Sequence, residues 1–231
     1  MPDAVILPGG RNVSVAAEAR DRLCCGILIV EPVEVDGGGS AAAAAAELGE
    51  SLQEVFAERK PSGIPGLAEA RTLYKSFGMD PTRHRPSSEA LLRRVLQGKG
   101  LYHINNAVDT CNLVSLTFLL PIGMYDLSLV RGNVILRTGV AGEEYPGIRK
   151  GSVHLEGRLG LFDDQGAFGS PTSDSARTCV SEATTTILAV IMATGAYSAA
   201  RMGDNVGVFG HLFGEHCRGR VVCSAVLGGA S

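Results

Sequence analysis

A cluster of polar side chains directly precedes the apolar run that ends at Leu120. It comprises Asn105, Asn106, Asp109 and Asn112, with Cys111 between the last two. On a helix, Asn105, Asp109 and Asn112 lie on one face through i,i+4 and i,i+3 spacing. Because amides and carboxylates are costly to bury without partners, this face is either solvated or lines a cavity that binds a polar ligand. Helix capping by Asn105 or Asn106, with the other side chains exposed, is the competing interpretation.

A second polar segment, residues 162–178, is rich in Gly, Ser and Thr and lies between strand-like runs. Its candidate binding side chains, which can orient a carbonyl, an amine or a water molecule, are Ser170, Thr172, Ser173, Asp174 and Ser175. The same residue types are the commonest turn formers. Taken alone, the segment therefore favours a plain loop over a binding site.

The other residues of chemically reactive types are predicted to have structural rather than catalytic roles. Asp126 follows the breaks at Pro121 and Gly123, where a carboxylate commonly anchors a loop by accepting backbone amides. No G-x-S-x-G nucleophile motif is present. The spacing of His211, His216 and Cys217 matches no common zinc pattern. We predict a surface helix end there, with no metal and no cofactor.

The segment 71–103 carries a charge opposite to that of the whole chain. It holds 7 basic and 2 acidic side chains, whereas the chain has a net charge of −3. The overall charge argues against indiscriminate binding of polyanions such as DNA. The basic segment can still contact RNA phosphates through Arg85, Arg93, Arg94 and Lys99, with Tyr74, Phe77 and Tyr102 available for stacking. Solvated helix faces of the same composition are the alternative.

The bulk properties are those of a globular protein. Its 231 residues are 45% hydrophobic and 19% charged, which suffices for a buried core. The six cysteines form no C-x-x-C pair, and the first residues lack the pattern of a signal peptide. The longest apolar stretch, residues 187–193, is too short to span a bilayer. We therefore predict a cytoplasmic protein without membrane segments.

The helices and strands that must position these residues can be predicted from the hydrophobic pattern and from the capping residues, glycines and prolines that bound it. Residues 23–35 predict a central strand, and a helix should begin with Ser40 as its N-cap. Further helices are predicted over residues 67–78, 85–98 and 106–119, the first two ending at glycines. Short antiparallel strands should follow Pro121, with one strand from Thr185. The last residues predict a helical turn, a glycine break and a final strand.

Several ordered blocks between Arg71 and Ile191 resemble freestanding B3/B4 domain proteins. They are RPSSEALLRRVL, INNAVDTCNLVSL, LPIGMYDL, GNVILRTGVAGEEY and DSART followed by TTTILAVI. The second and third blocks are similar to a pattern in the phenylalanyl-tRNA synthetase β subunit. The resemblance implies an α+β fold in layers, with a mixed or antiparallel sheet packed against helices. We expect residues 61–231 to form this domain and residues 1–60 to be a strand-helix extension packed on it, with the Pro/Gly-rich residues 61–66 as connector.

The resemblance also implies a function. In the synthetase this domain hydrolyses tyrosine wrongly attached to phenylalanine tRNA, so a freestanding copy would be a trans-acting deacylase of mischarged tRNA. Asn112 matches the motif asparagine that lines the editing pocket, whereas Asp109 and Asp126 match carboxylates that look structural. We expect Asn112 and Asp174 to be catalytic, and Asn106, Asp109, Gly123 and Ser175 to bind substrate.

One departure from the synthetase pattern affects the expected chemistry. Gly123 occupies the position of the pocket histidine, so a substrate hydroxyl, Asp174 or an amide-held water must replace that base. A module that binds tRNA or an amino acid without catalysis is the first alternative. A hydrolase of small amides or esters on the same scaffold is the second.

Overall fold

The computed structural model describes residues 4–56, 59, 63–148 and 151–230. The helices are α1 (Ser40–Phe56), α2 (Leu67–Ser76), α3 (Ser87–Leu96), α4 (Asn106–Phe118) and α5 (Ala199–Cys217). The strands are β1 (Ala4–Ile6), β2 (Asn12–Val15), β3 (Leu23–Val30), β4 (Ile122–Asp126), β5 (Val134–Thr138), β6 (Glu144–Pro146), β7 (Ser152–His154), β8 (Leu159–Asp163), β9 (Gly166–Ser170), β10 (Ser173–Asp174), β11 (Ile187–Thr194) and β12 (Val221–Gly228). Short 3-10 helices span Ala17–Arg22 and Ala176–Thr178.

A four-stranded antiparallel sheet in the order β12-β3-β11-β4 lies at the centre of the molecule. Every residue of β3 and β11 is buried, because both strands lie inside the sheet and both faces of the sheet are covered. Successive side chains of a strand point to opposite faces. The sheet therefore contributes to two separate apolar layers.

The first layer packs the central sheet against a second, mixed sheet. This sheet has the order β1-β2-β5-β8-β9-β10, with β2 and β5 parallel and its other pairs antiparallel. Cys25, Ile27 and Ile29 of β3 meet side chains of this sheet, such as Leu136, and Leu73 of α2. A small third sheet joins β6 and β7.

The second layer packs the other face of the central sheet against α4 and α5. Leu28 and Val30 of β3 meet Phe209 and Phe213 of α5 there. Glycines allow the helix to approach closely, since a Cβ at Gly26 would lie 2.5 Å from a Val206 methyl group. A third apolar cluster joins α1, α3 and α4 on the outer side.

Most of the predicted elements are confirmed. Helices form over the second to fourth predicted ranges, and Gly78 and Gly98 adopt the left-handed conformation after α2 and α3. The predicted central strand lies between β12 and β11, although it ends at Val30. The strand predicted from Thr185 begins at Ile187.

The order predicted for the last residues is confirmed: α5 ends at Cys217, Gly219 lies in the break, and β12 begins at Val221. The helix is longer than the predicted turn. It continues through Gly210, where a Cβ would lie 2.7 Å from a Val221 methyl group and the bare helix fits against β12. One local prediction is wrong. The Ser40 hydroxyl, expected to cap α1, instead hydrogen-bonds Nδ1 of His216 at 2.9 Å.

The predicted domain division stays a prediction, and residues 60–62 at its boundary lie outside the described residues. Strand β3, from the predicted extension, is hydrogen-bonded on both sides to strands of the predicted domain. No helix in the described part of the chain is long and apolar enough to cross a membrane.

Candidate functional site

A cavity of about 510 Å³ opens between α3, α4, β4 and the segment from Ser170 to Asp174. Its volume lies in the range of small-molecule sites. The apolar part of its wall consists of Leu91, Ile104, Val108, Ile122, Met124, Ile148, Pro171 and Val180. The remaining lining residues are Ser87, Cys111, Asn112, Ser115, Ser170, Thr172, Ser173, Asp174 and Cys179. The arrangement suits an apolar group with a polar group at one end.

Asp174 is the carboxylate of this cavity. It lies on β10 at the edge of the mixed sheet, and its Oδ2 accepts the Met124 N–H of the edge strand β4 at 3.5 Å. Burial raises the pKa of Asp174 from 3.8 to about 7, although the Tyr125 hydroxyl and the Met124 N–H act to lower it. No cation pairs with Asp174 among the described residues. A carboxyl with this pKa can exchange a proton with substrate or water near neutral pH.

Two buried tyrosines hold the segment that carries Asp174. The Tyr74 hydroxyl donates to the Pro171 carbonyl oxygen at 2.7 Å and lies 3.1 Å from the Thr172 hydroxyl. The Tyr145 hydroxyl donates to the Ser173 carbonyl oxygen and lies 2.8 Å from the Ser170 hydroxyl. These bonds hold the segment from Ser170 to Ser173, directly before Asp174 in the chain.

Asn112 contributes the side-chain amide of the cavity. It lies on α4, whose start is fixed by Asn105 because the Asn105 side chain accepts the Val108 N–H at 2.8 Å. No described residue hydrogen-bonds the Asn112 amide. Its donor and acceptor are therefore available to a ligand in the cavity.

Cys111 also lines the cavity, but its environment does not suit a nucleophile. Burial, followed by the charge of Asp174, raises the pKa of the Cys111 thiol. Because the thiolate is the nucleophilic form of cysteine, a thiol held protonated at neutral pH is a poor attacking group. Asp174 is therefore the better candidate for proton transfer in this cavity.

Gly123 lies behind the cavity wall rather than on it. Its neighbours Ile122 and Met124 line the cavity, so the 123 position faces the other side of β4. A Cβ at Gly123 or at Gly169 would overlap the Tyr125 hydroxyl, which occupies the space between the two glycines. A histidine at position 123 would require Tyr125 to move, and no histidine lines the cavity among the described residues.

The Tyr125 hydroxyl is a feature of the candidate site that the sequence did not reveal. It is fully buried, and no described atom completes a hydrogen bond of normal geometry with it. It nevertheless lies close enough to Asp174 to lower the pKa of that carboxyl. Only the alternation Gly-x-Tyr in β4, opposite Gly169 of another sheet, could have suggested this pairing. The register between strands was needed to recognise it.

The other residues predicted to bind substrate lie outside the cavity. Asn106 accepts the Asp36 N–H and donates to the carbonyl oxygens of Glu34 and His216, so it ties α4 to neighbouring segments. Asp109 accepts from His103 and from the Ile104 N–H, and this pairing raises the pKa of His103. The Ser175 hydroxyl caps the 3-10 helix that follows it and lines a separate cavity of about 340 Å³. The structure thus brings together Asn112 and Asp174.

The side chain of Asp126 anchors a loop, as predicted. Its Oδ1 accepts the Ser128 N–H and hydroxyl at 2.9 and 2.6 Å, and its Oδ2 accepts the Thr184 hydroxyl at 2.7 Å. His211 and His216 lie on α5, and the described residues contain no cluster of three or more His, Cys, Asp or Glu suited to a metal ion.

The predicted RNA-contacting cations form a basic strip along α3 and just beyond both its ends, next to the cavity. The strip comprises Arg85, Arg93, Arg94 and Lys99. Ser87 and Leu91 of this helix line the cavity, whereas Glu89 faces away toward α2. Arg71 binds the buried Glu89 carboxylate with two hydrogen bonds of 2.7 Å, and Arg93 adds one of 2.8 Å. Arg85 lies 3.9 Å from the same carboxylate. One negative charge is thus surrounded by three positive charges, which leaves the surface basic.

Arg94 and Lys99 occupy the other end of the strip. The Arg94 guanidinium lies 3.9 Å from the ring centroid of Tyr102, and its Nε donates to the Gly100 carbonyl oxygen at 2.7 Å. Lys99 is exposed, and it has no ion-pair partner among the described residues. The four predicted RNA-contacting cations therefore lie on α3 or within three residues of its ends.

One family model matches most of the chain. Residues 69–208 match the family described as the B3/4 domain, and this is more than half of the chain. The chain belongs to the B3/4 domain family, which confirms the resemblance noted in its motifs.

A solved structure shows the same fold. The chain is similar to an N-terminal fragment of the phenylalanyl-tRNA synthetase β-subunit from Pyrococcus horikoshii, with a TM-score of 0.51 and 15% sequence identity. The alignment covers 96% of this chain and 53% of that fragment, so the chain spans about half its length. The predicted α+β fold with mixed sheets packed against helices is confirmed. A search of curated protein sequences finds no significant match.

Proposed function

We propose that this protein is a tRNA-binding aminoacyl-tRNA deacylase that acts in trans on mischarged tRNA. The observation that carries the proposal is the Asp174 carboxyl, which has a pKa of about 7 and lies in the same cavity as the unpartnered Asn112 amide. A base is most effective when its pKa lies near the working pH. Asp174 supplies that property where no histidine is available.

The reaction assigned to these residues is ester hydrolysis by an activated water. Ionised Asp174 takes a proton from a water molecule whose oxygen attacks the ester carbonyl carbon. The Asn112 amide donates to the oxyanion that develops, which is a large source of stabilisation in acyl transfer. The bond to the ribose oxygen then breaks, and that oxygen receives the proton from Asp174. Activity should rise with pH through about 7, because the base must be ionised.

The expected type of amino acid follows from the side chains that line the cavity. Leu91, Val108, Ile122 and Met124 surround the space in which the amino acid side chain would lie. An apolar or aromatic side chain gains from burial there, whereas a charged one would lose its hydration. The mischarged amino acid is therefore expected to be apolar in its larger part.

The proposed binding of tRNA rests on the position of the basic strip. Arg93 and Arg94 lie on α3, Arg85 just before it and Lys99 just after it, and Ser87 and Leu91 of the same helix line the cavity. An acceptor stem that contacts this strip would bring its esterified end to the cavity mouth. Binding should weaken steeply with salt, because phosphate contacts release counterions.

The test is a panel of mischarged tRNAs incubated with the full chain and with three variants. Asp174→Asn should lower the deacylation rate by about 100-fold or more, since a general base commonly contributes that much. Asn112→Ala should lower it as well, whereas Asp204→Asn, an exposed carboxylate on α5, should have no effect. The deacylase proposal fails if the wild-type chain hydrolyses none of the panel faster than Asp174→Asn does.

A second candidate function is binding of aminoacyl-tRNA without catalysis. The observation that favours it is the space behind Gly123, which is filled by the Tyr125 hydroxyl and admits no imidazole. Under this alternative, the chain binds a non-hydrolysable aminoacyl-tRNA analogue and leaves the ester intact. Charge reversal at Arg93 and Arg94 should then weaken binding and flatten its salt dependence. Unchanged retention of RNA by that variant would exclude tRNA as a ligand of this strip.

A further inference from the structure

An exposed aromatic ring is held in place beside the cavity. Tyr102 is 68% exposed, and the Arg94 guanidinium lies 3.9 Å from its ring centroid. Arg94 is itself fixed by its hydrogen bond of 2.7 Å to the Gly100 carbonyl oxygen. Since the guanidinium covers one face of the ring, the exposed surface is mainly the opposite face and the edge. The result is a flat apolar surface held by contacts within the chain.

The residue that carries this ring lies close to the cavity. Tyr102 is two residues from Ile104, which lines the cavity and is 51% exposed. Two residues of chain span no more than about 7 Å between Cα atoms. Arg94 is placed similarly, because it lies one helical turn after Leu91, another lining residue. The Tyr102 ring and the Arg94 guanidinium together form what we call the rim platform.

The chemistry of the rim platform suits one class of ligand. Aromatic rings and guanidinium planes stack on the faces of unpaired nucleobases, and they do so with little dependence on base identity. The exposed Lys99, five residues after Arg94, adds a cation for the adjoining phosphate. A peptide would gain little here, because the platform offers no row of backbone partners.

We propose that the rim platform stacks the 3′-terminal nucleobase of a single-stranded RNA end whose esterified acyl group enters the cavity. The proposal rests on the proposed function for the acyl group, but the stacking itself needs no chemistry. It assigns Tyr102 as a ligand-binding residue and separates recognition of the base from recognition of the amino acid. Any of the four bases should be accepted.

The experiment measures binding of a short single-stranded oligoribonucleotide and of the same oligonucleotide with an abasic 3′-terminal residue. Wild-type protein and Tyr102→Phe should bind the intact form at least about fivefold more tightly than the abasic form, the lower limit for stacking of one base. Tyr102→Ala should bind both forms equally. The control Val140→Ala removes an exposed apolar side chain elsewhere and should behave as wild type. Equal binding of the two oligonucleotides by wild type, or binding of neither, overturns the proposal.

Deacylation of aminoacylated RNA, measured on the same proteins, keeps the two proposals apart. If wild type and Tyr102→Ala hydrolyse subsaturating substrate at the same rate, the rim platform is wrong and the deacylase stands. If binding depends on the base and on Tyr102 but no ester is cleaved, the rim platform stands and the deacylase fails.

Discussion

Glu89 and Asp174 are two carboxylates withdrawn from water in neighbouring parts of the molecule, and the protein treats them in opposite ways. The guanidinium groups of Arg71, Arg93 and Arg85 surround the Glu89 carboxylate. Burial alone would raise its pKa, but hydrogen bonds from Arg71 and Arg93 outweigh this and hold the pKa below the usual 4.5. Asp174 faces a cavity with one backbone N–H and a nearby hydroxyl, and burial raises its pKa to about 7.

The difference shows how to tell a structural carboxylate from a reactive one. A carboxylate whose charge is matched by cations is costly to remove, because its partners are left unpaired, and it has no capacity left for a ligand. A carboxylate that is desolvated without a cation stays close to protonation at neutral pH, and this favours proton transfer.

Replacing Glu89 with Gln should destabilise the fold by about 3 kcal/mol at pH 7. Removing one partner of a buried ion pair costs roughly 3–5 kcal/mol, and the low end applies because Arg71 and Arg93 are 20% and 33% exposed. The exposed pair of Arg218 with Glu34 is the control, and Glu34→Gln should cost less than about 1 kcal/mol. Urea unfolding of the three proteins measures both changes.

The pH dependence of this first effect has a definite sign. The folded pKa of Glu89 lies below its usual 4.5, so its contribution is complete above that pH and is lost as the pH falls through the folded value. The gap between wild type and Glu89→Gln should therefore close in acid. A gap that stays constant down to acid unfolding would contradict the ion-pair account.

Replacing Asp174 with Asn should stabilise the fold above pH 7. The folded pKa of about 7 exceeds the ordinary 3.8, so wild type loses stability as the pH rises between these values. One unit of pKa corresponds to about 1.4 kcal/mol. We expect a gain between about 1.4 and 3 kcal/mol at pH 8, limited because the new amide also needs partners. Wild type and variant should converge in acid, and parallel stability curves from pH 4 to pH 8 would refute the raised pKa.

Replacing Tyr125 with Phe is expected to have the smallest effect of the three replacements. It tests directly what sets the pKa of Asp174. The Tyr125 hydroxyl lowers the pKa of Asp174, so its removal should move the titration of that carboxyl to higher pH. NMR titration of the Asp174 carboxyl carbon measures this directly. The control Tyr197→Phe alters a hydroxyl that is bound by Asn205 and should leave the titration unchanged. An unmoved Asp174 titration in Tyr125→Phe would show that this hydroxyl is not its partner.

Local sequence was sufficient to predict the elements around the site. Proline, serine and glycine set the limits of α3, and Asn105 begins α4, because these signals act within one helical turn. The motif blocks identified the family and the fold, and they placed Asn112 on a cavity wall. Local signals were insufficient for the length of α5, which continues through several glycines because it packs against the central sheet.

The sequence was thus enough to predict helices α2 to α4, the central strand, the family and the two polar segments that meet at the site. It did not show which members of those segments share the cavity. Asn106 and Ser175 form structural hydrogen bonds, while Asp174 contacts the edge of β4 and the Tyr125 hydroxyl. Burial and pairing depend on strand register and on contacts between residues distant in sequence, and the pKa of a carboxyl depends on those contacts rather than on its neighbours in the chain.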